Sequence, residues 1–147
     1  MKHDFELLPH TADIKLRVTG SSQAELFRHA VQGMFTIMQP RAQGCVLTEH
    51  RIVCAKLDST RSFDIRADAV DELLVAFLSN ALFYSDVHNE AYFDAAIDSI
   101  DEHSIRGVFK GVGIQGFDRP EIKAVTYHEL SVTHNHDQWT AEIVFDV

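Results

Sequence analysis

The chain has 147 residues, 46% of them hydrophobic and 24% charged, which is the length and composition of one globular domain. Thirteen Lys and Arg residues are outnumbered by 22 Asp and Glu residues, so the formal net charge is −9 with neutral histidines. Such an acidic surface repels phosphate, which argues against direct binding of nucleic acid and favours proteins or cations as partners.

Several features of the sequence predict a cytoplasmic protein. The N-terminal segment lacks the unbroken apolar core of a signal peptide. No apolar run approaches the roughly 20 residues that a membrane helix needs, so no membrane association is expected. Cys45 and Cys54 are far from any metal-finger spacing, and we expect two reduced thiols, as is usual in the cytosol.

The first elements in chain order are two strands and a helix. Phe5–Leu8 reads as a short strand, and a second strand ends at Gly20. Its apolar residues alternate with polar ones and are Ala12, Ile14, Leu16 and Val18. Ser22 and Glu25 have the spacing of a capping box, which starts a helix. Residues at helical spacing form its apolar stripe, and Pro40 ends it.

A second helix and a series of strands follow. Residues 41–50 read as a polar connection, Arg51–Leu57 and Phe63–Arg66 as strands, and Asp68 as the cap of the second helix. The apolar stripe of that helix is Val70, Leu73, Leu74, Phe77, Leu78, Ala81 and Leu82. The later strands are Ala91–Ile97, Ser104–Val112, Glu121–Thr126, Leu130–Thr133 and Trp139–Val147, with a tight turn at Asn135-His136-Asp137 before the last. This order predicts an α+β single domain over residues 1–147, a mainly antiparallel sheet with two amphipathic helices packed on it.

Two motifs that suggest ligand sites are better explained by structure. Gly111-Val112-Gly113-Ile114-Gln115-Gly116 matches the dinucleotide fingerprint, but that fingerprint must open a helix, and a strand pattern follows here. We therefore predict a glycine-rich turn. The nine histidines lack paired helical or finger spacing, so most are read as surface residues. No Ser-His-Asp or Cys-His arrangement supports hydrolase chemistry.

Carboxylates at the ends of two strands form a candidate cation site. Asp13 lies on the polar face of the second strand, and Asp146 lies off the main apolar face of the last strand. If these strands are neighbours, the two carboxylates converge, and the terminal carboxylate of Val147 adds a third anion. Hard cations such as Ca²⁺ and Mg²⁺ prefer such oxygen ligands. The pattern alone leaves open whether these residues bind a cation or are solvated strand ends.

Four segments spread over nearly the whole chain form a recognisable series. They are His10-Thr11-Ala12-Asp13-Ile14, residues 71–78 (DELLVAFL), residues 121–128 (EIKAVTYH) and the ending from Trp139 to Val147. In this order they resemble the motifs of the archease family. One five-residue match would carry little weight, but four matches in family order at the right chain length are specific.

The resemblance implies an accessory protein that is not itself an enzyme. Archeases assist RtcB-type RNA ligases, which join RNA ends carrying a 2′,3′-cyclic phosphate or 3′-phosphate to 5′-hydroxyl ends in tRNA splicing or RNA repair. The resemblance therefore implies that this chain promotes guanylylation of the ligase and sustains multiple turnover. RNA would then be contacted only indirectly, through the ligase.

The resemblance also implies particular site residues. It assigns a divalent metal ion, with Ca²⁺ expected and Mg²⁺ or Mn²⁺ as alternatives, to Asp13, Asp146 and the C-terminal Val147. Lys123 matches the functional lysine of the family, and a mobile cation there suits a phosphate or an acidic residue of the ligase. His10 and His128 are implied as supporting or ligase-activating residues.

Two departures from the family pattern affect this region. Pro9 occupies a position that is commonly acidic, which reduces the negative charge available to a metal ion. The connection over residues 116–120 is shorter than usual, which would alter the contact with the ligase.

Two alternative functions remain open at the level of sequence. One is a stand-alone metal-dependent enzyme that acts on nucleotides or RNA ends, although the chain has no motif for a general base or nucleophile. The other is a general chaperone of nucleic-acid-modifying enzymes, which would need exposed apolar surface.

The net charge gives a first prediction. A protein with a charge of −9 gains little from counterion release, so the isolated chain should bind generic single-stranded RNA with a Kd weaker than about 0.1 mM at physiological salt. Fluorescence anisotropy over a salt series measures this affinity. Tight and strongly salt-dependent binding in the absence of a ligase would contradict the prediction.

Overall fold

The computed structural model of the protein describes residues 4–8, 13–49, 51–119 and 121–147. Its elements are β1 (Phe5–Leu8), β2 (Ile14–Gly20), α1 (Gln23–Met38), β3 (Cys45–Leu47), β4 (Ile52–Cys54), β5 (Ser59–Arg66), α2 (Val70–His88), β6 (Glu90–Ile100), β7 (Ser104–Gly113), β8 (Ala124–Asn135) and β9 (Gln138–Asp146). The predicted α+β class with two helices is confirmed.

The strands are divided among three antiparallel sheets, whereas the sequence pattern suggested one shared sheet. The four-stranded sheet has the order β1-β2-β9-β8, the three-stranded sheet has the order β5-β7-β6, and β3 pairs with β4. Each helix contacts both larger sheets. Helix α1 does so mainly through β2 and β6, whereas α2 contacts β8 most and the three strands β5, β6 and β7 about equally. Alternation within a strand does not indicate which strands share a sheet, so the sequence could not reveal this division.

The two helix starts differ in how well the sequence predicted them. Ser22 is the N-cap of α1, and its hydroxyl accepts a hydrogen bond from the Glu25 amide at 3.1 Å, as expected for a capping box. Asp68 is not the cap of α2, because the N-cap residue is Ala69, which makes no side-chain cap bond. Instead, the Asp71 carboxylate in the first turn accepts a hydrogen bond from the Glu72 backbone amide at 2.8 Å.

β3 lies within the segment predicted as a polar connection, and its presence changes the state of the cysteines. Pairing of β3 with β4 places Cys45 directly opposite Cys54, with their Cα atoms 4.0 Å apart, and the two form a disulfide. The expectation of two reduced thiols is therefore wrong. Without β3, the sequence pattern could not bring the cysteines together.

β8 runs continuously through the two strands that were predicted at 121–126 and 130–133. Its register with β9 shifts between Thr126 and Ser131, so residues 127–130 lie opposite Ile143 alone. The break in the sequence pattern is therefore a bulge within one strand. The predicted tight turn is confirmed, with His136 and Asp137 joining β8 to β9.

The glycine-rich segment is the end of β7 followed by a loop, as predicted. A Cβ on Gly111 would collide with the Ala91 carbonyl oxygen and would lie 2.7 Å from the Tyr92 ring, so only glycine allows β6 to approach this closely. Gly116 has a φ of +130°, which favours glycine. These glycines serve strand packing and a turn rather than nucleotide binding.

The core between the helices and the sheets contains a group of packed aromatic rings. The rings of Phe63, Phe77 and Phe109 have centroids 4.5 to 5.2 Å apart, within the range for favourable aromatic pairs. They join β5, α2 and β7. Among the described residues, neither helix is long and apolar enough to cross a membrane.

A largely buried ion pair links the two outer strands of the three-stranded sheet. Arg61 on β5 donates two hydrogen bonds to the Glu90 carboxylate on β6, at 2.9 and 3.1 Å. The Tyr92 hydroxyl donates a third at 2.8 Å. Burial raises the pKa of Glu90, but hydrogen bonds from Arg61, Ser59 and Tyr92 outweigh it and leave that pKa below its ordinary value.

Replacing Glu90 with Gln should destabilise the protein at neutral pH. The change removes the charged acceptor of Arg61, and we expect a loss of roughly 1–3 kcal/mol in the free energy of unfolding, measured by urea denaturation. Asp64→Asn is the matched control, because it breaks an ion pair with Arg106 on the same sheet in which both side chains are more than half exposed. That control should change stability by less than about 0.5 kcal/mol.

The pH dependence of the same comparison identifies the carboxylate as the cause. Because folding lowers the pKa of Glu90, its contribution is complete above the pKa of an unfolded glutamate and disappears as the pH falls through the lower folded value. The stability difference between wild type and Glu90→Gln should therefore shrink in acid. A difference that stays constant over that range would contradict this explanation.

Candidate functional site

The antiparallel pairing of β2 with β9 brings Asp13 next to Asp146. Ile14 lies opposite Phe145 in the last pair of the register, and Asp13 and Asp146 are the residues that adjoin this pair, with Asp13 just before the start of β2. Asp146 follows the buried Phe145 on β9, so its side chain is on the opposite face of the sheet. Asp146 is exposed and Asp13 is partly exposed.

The start of β8 reaches the same end of the sheet. Ala124 pairs with Asp146, and the Lys123 amide donates a hydrogen bond to the Asp146 carbonyl oxygen at 2.7 Å. Val147 follows Asp146 and packs partly against the core. The fold thus brings together the ends of three separate motifs, and we call Asp13, Lys123, Asp146 and Val147 the strand-end site.

The same face of the sheet carries a balanced set of charges beside this site. Lys15 Nζ lies 3.2 Å from the Glu142 carboxylate, and Arg17 pairs with Glu142 at 3.0 Å and with Glu6 at 2.9 Å. The hydrogen bond from Arg17 lowers the pKa of Glu142 despite an opposing effect of burial, and Lys15 lowers it further. The Lys15 ammonium is paired with the Glu142 carboxylate and not with Asp146.

The carboxylates of the strand-end site are different, because within the described ranges neither Asp13 nor Asp146 has an ion-pair partner. Carboxylate oxygens are the type of donor that Ca²⁺ and Mg²⁺ prefer. Over the part of the chain that the structure describes, no cluster of three or more His, Cys, Asp or Glu side chains is suited to a metal ion.

The two histidines implied by the resemblance differ in position. His128 lies in the β8 bulge, three pairing positions from Asp146, a separation of about 10 Å at roughly 3.3 Å per residue. Its side chain is 70% exposed, and its Nε2 atom is 3.8 Å from the Glu129 carboxylate. His10, like Pro9, lies outside the described residues. The roles of both histidines stay predictions.

Arg41 holds the connection that leads from β7 to Lys123. Its guanidinium donates hydrogen bonds to the carbonyl oxygens of Gln115 and Phe117, both at 3.2 Å, and to the Asp118 carboxylate at 2.8 Å. No sequence pattern indicates this role, because Arg41 lies in a polar stretch that is far along the chain from the loop it contacts. Residues 115–118 are therefore fixed to the segment that follows α1.

Lys123 also lines a groove that the sequence did not predict. This α2–β8 groove is bounded by one side of α2 between Ser79 and Asn89, by loop residues 114–117 and by residues 121–125, and its volume is about 830 Å³. Phe83 in its wall is 61% exposed. In the sequence Phe83 directly follows the apolar stripe of α2, so nothing marked it as a surface residue.

Comparison with known proteins gives one family over nearly the whole chain. The model of the Archease protein family (MTH1598/TM1083) matches residues 5–147. The protein archease of Methanosarcina barkeri is 30% identical, and the match covers 97% of this chain and 95% of the relative. The protein archease of Thermoplasma volcanium is also 30% identical, with 97% and 98% covered.

Two solved structures have the same fold. The solution structure of Methanobacterium thermoautotrophicum Protein 1598 has a TM-score of 0.70 and 22% identity, covering 98% of this chain and 99% of that one. The crystal structure of a Thermotoga maritima archease, described as a possible chaperone, has a TM-score of 0.64 and 20% identity, with 100% of both chains covered. At this level of identity, the two likenesses support the fold alone.

Proposed function

We infer the function of this chain from the family to which it belongs, the Archease protein family. We propose that it is a metal-binding accessory protein of an RtcB-type RNA ligase, which promotes guanylylation of the ligase and multiple turnover without chemistry of its own. The observation that carries the proposal is the strand-end site, where Asp13 and Asp146 occupy adjacent positions and Lys123 is hydrogen-bonded to the backbone of Asp146.

The proposed roles follow from the charges at this site. Asp13, Asp146 and the terminal carboxylate of Val147 would hold a divalent cation, Ca²⁺ being expected and Mg²⁺ or Mn²⁺ being alternatives. A bound cation would neutralise carboxylates that otherwise repel one another. The exposed Lys123 ammonium would then be available to a phosphate or a carboxylate of the ligase.

The surface of the protein supports this role over that of a general chaperone. A chaperone needs a broad apolar surface, whereas the large exposed apolar residues described here are distributed over five elements. They are Leu7, Val46, Leu47, Val53, Phe83, Val87 and Tyr127. The net charge of −9 supports indirect contact with RNA, through the ligase.

A C-terminal extension should weaken metal binding, because it converts the Val147 carboxylate into a neutral amide. Adding two glycines should raise the Kd for Ca²⁺ at least about tenfold, measured by isothermal titration calorimetry. The same two glycines at the N-terminus serve as the control and should leave the Kd unchanged. Unchanged affinity and stoichiometry after the C-terminal extension would remove Val147 from the metal site.

Asp13→Ala and Lys123→Ala should each abolish support for repeated ligation while the protein stays folded. Asp13 is proposed to bind the cation and Lys123 to contact the ligase, and changes at such surface positions usually alter stability by less than about 0.5 kcal/mol. The measurements are a ligation time course beyond one turnover and the extent of ligase guanylylation. Asp98→Ala and Lys110→Ala, at exposed positions of the three-stranded sheet, are matched controls that should retain full activity.

The outcomes separate the site from the function. Full activation by folded Asp13→Ala and Lys123→Ala variants would reject the assigned residues. If the unmutated protein increases neither guanylylation nor turnover of any RtcB-type ligase, the proposed function is wrong.

A further inference from the structure

The α2–β8 groove combines an exposed aromatic ring with acidic side chains. Phe83 forms part of its wall and is 61% exposed, while Ile122 beside it is buried at 5% exposure. Asp86 and Glu121 also line the groove and are exposed. Together with Lys123, the described lining residues carry two negative charges and one positive charge, a net charge of −1.

The size and position of the groove fit a short stretch of polypeptide. Its volume of about 830 Å³ exceeds the space of a single side chain and is open along one side of α2. Its other wall, residues 121–125, leads into β8, which is the last strand in the order β1-β2-β9-β8. The Ile122 and Lys123 amides are already bonded, to Met38 and Asp146, so an extended occupant of the groove would pair with the edge of β8 itself.

We propose that the groove docks an extended segment of the ligase that presents an apolar side chain to Phe83 and a basic side chain to Asp86 and Glu121. The inference rests on the proposed function, since Lys123 belongs both to the groove and to the strand-end site. An enzyme that binds RNA carries basic surface residues, and these complement the acidic groove and the net charge of −9. The same acidic charge disfavours RNA itself as the occupant.

The apolar contact is tested with Phe83→Glu. The exposed position of Phe83 lets the variant fold, and the introduced charge should raise the Kd for an RtcB-type ligase at least about tenfold, measured by calorimetry. Ca²⁺ affinity and the thermal midpoint should be unchanged, because Asp13, Asp146 and Val147 do not line the groove. Leu7→Glu is the matched control, since Leu7 is 60% exposed on β1 at the opposite edge of the sheet, and it should bind the ligase normally.

The charge contact is tested with Glu121→Lys. This reversal should weaken ligase binding and make the remaining affinity less dependent on salt, because one attractive charge becomes repulsive. Glu102→Lys makes the same change of charge at an exposed turn remote from the groove. It should leave the affinity for the ligase and the salt dependence of that affinity unaltered.

Each result supports or overturns the inference. Normal ligase affinity in both Phe83→Glu and Glu121→Lys would overturn it while leaving the proposed function in place. A wild-type dimer that Phe83→Glu converts to a monomer in sedimentation experiments would also overturn it, by assigning the groove to a second copy of the chain. If the unmutated protein binds no RtcB-type ligase, the proposed function fails first and the inference with it.

Discussion

The pairing of β2 with β9 determines both the core and the strand-end site. Leu16 and Val18 on β2 are fully buried opposite Ile143 and Ala141 on β9. Burying side chains of the larger types contributes about 1.5–3 kcal/mol each, and a slip of one residue would turn this whole set to the other face. The apolar residues therefore fix the register, and the register in turn fixes the positions of the charged residues beyond them. The juxtaposition of Asp13 with Asp146 is a consequence of core packing, so it does not require a cation to form.

The electrostatics of the outer face follow from the same register. Arg17 lies directly opposite Glu142, and Lys15 reaches the same carboxylate from two residues away, so charges are matched in the middle of the sheet. At the end of the sheet the pairing sets two carboxylates beside each other. Like charges at adjacent positions are destabilising, and the cation that we propose for this site would offset their repulsion.

The parts of this structure that the sequence predicted depend on local interactions. The Ser22 cap and the strand Phe5–Leu8 were read correctly, because hydrogen bonds and alternation within a few residues specify them. The β3 strand was missed because three residues are too few for a periodic pattern, and the Cys45–Cys54 disulfide was missed with it. For the site, the pattern gave the positions of its carboxylates but made their convergence conditional on two strands being neighbours. The α2–β8 groove could not be predicted at all, since it requires distant segments to be placed side by side.

The backbone connection between Lys123 and Asp146 links the two surfaces that the proposals concern. Lys123 lines the groove, and its amide hydrogen-bonds to the carbonyl oxygen of a proposed metal ligand. Arg41 holds residues 115–118 by three hydrogen bonds, and the Ile122 amide is bonded to the Met38 Sδ atom, so the segment before β8 is held by both α1 and β9. If an occupant of the groove shifts this segment, it would move Asp146, and the proposed affinity for metal would change with it. Such coupling is reciprocal. A cation at the strand-end site would change the affinity of the groove for its occupant by the same factor by which the occupant changes the affinity for the cation.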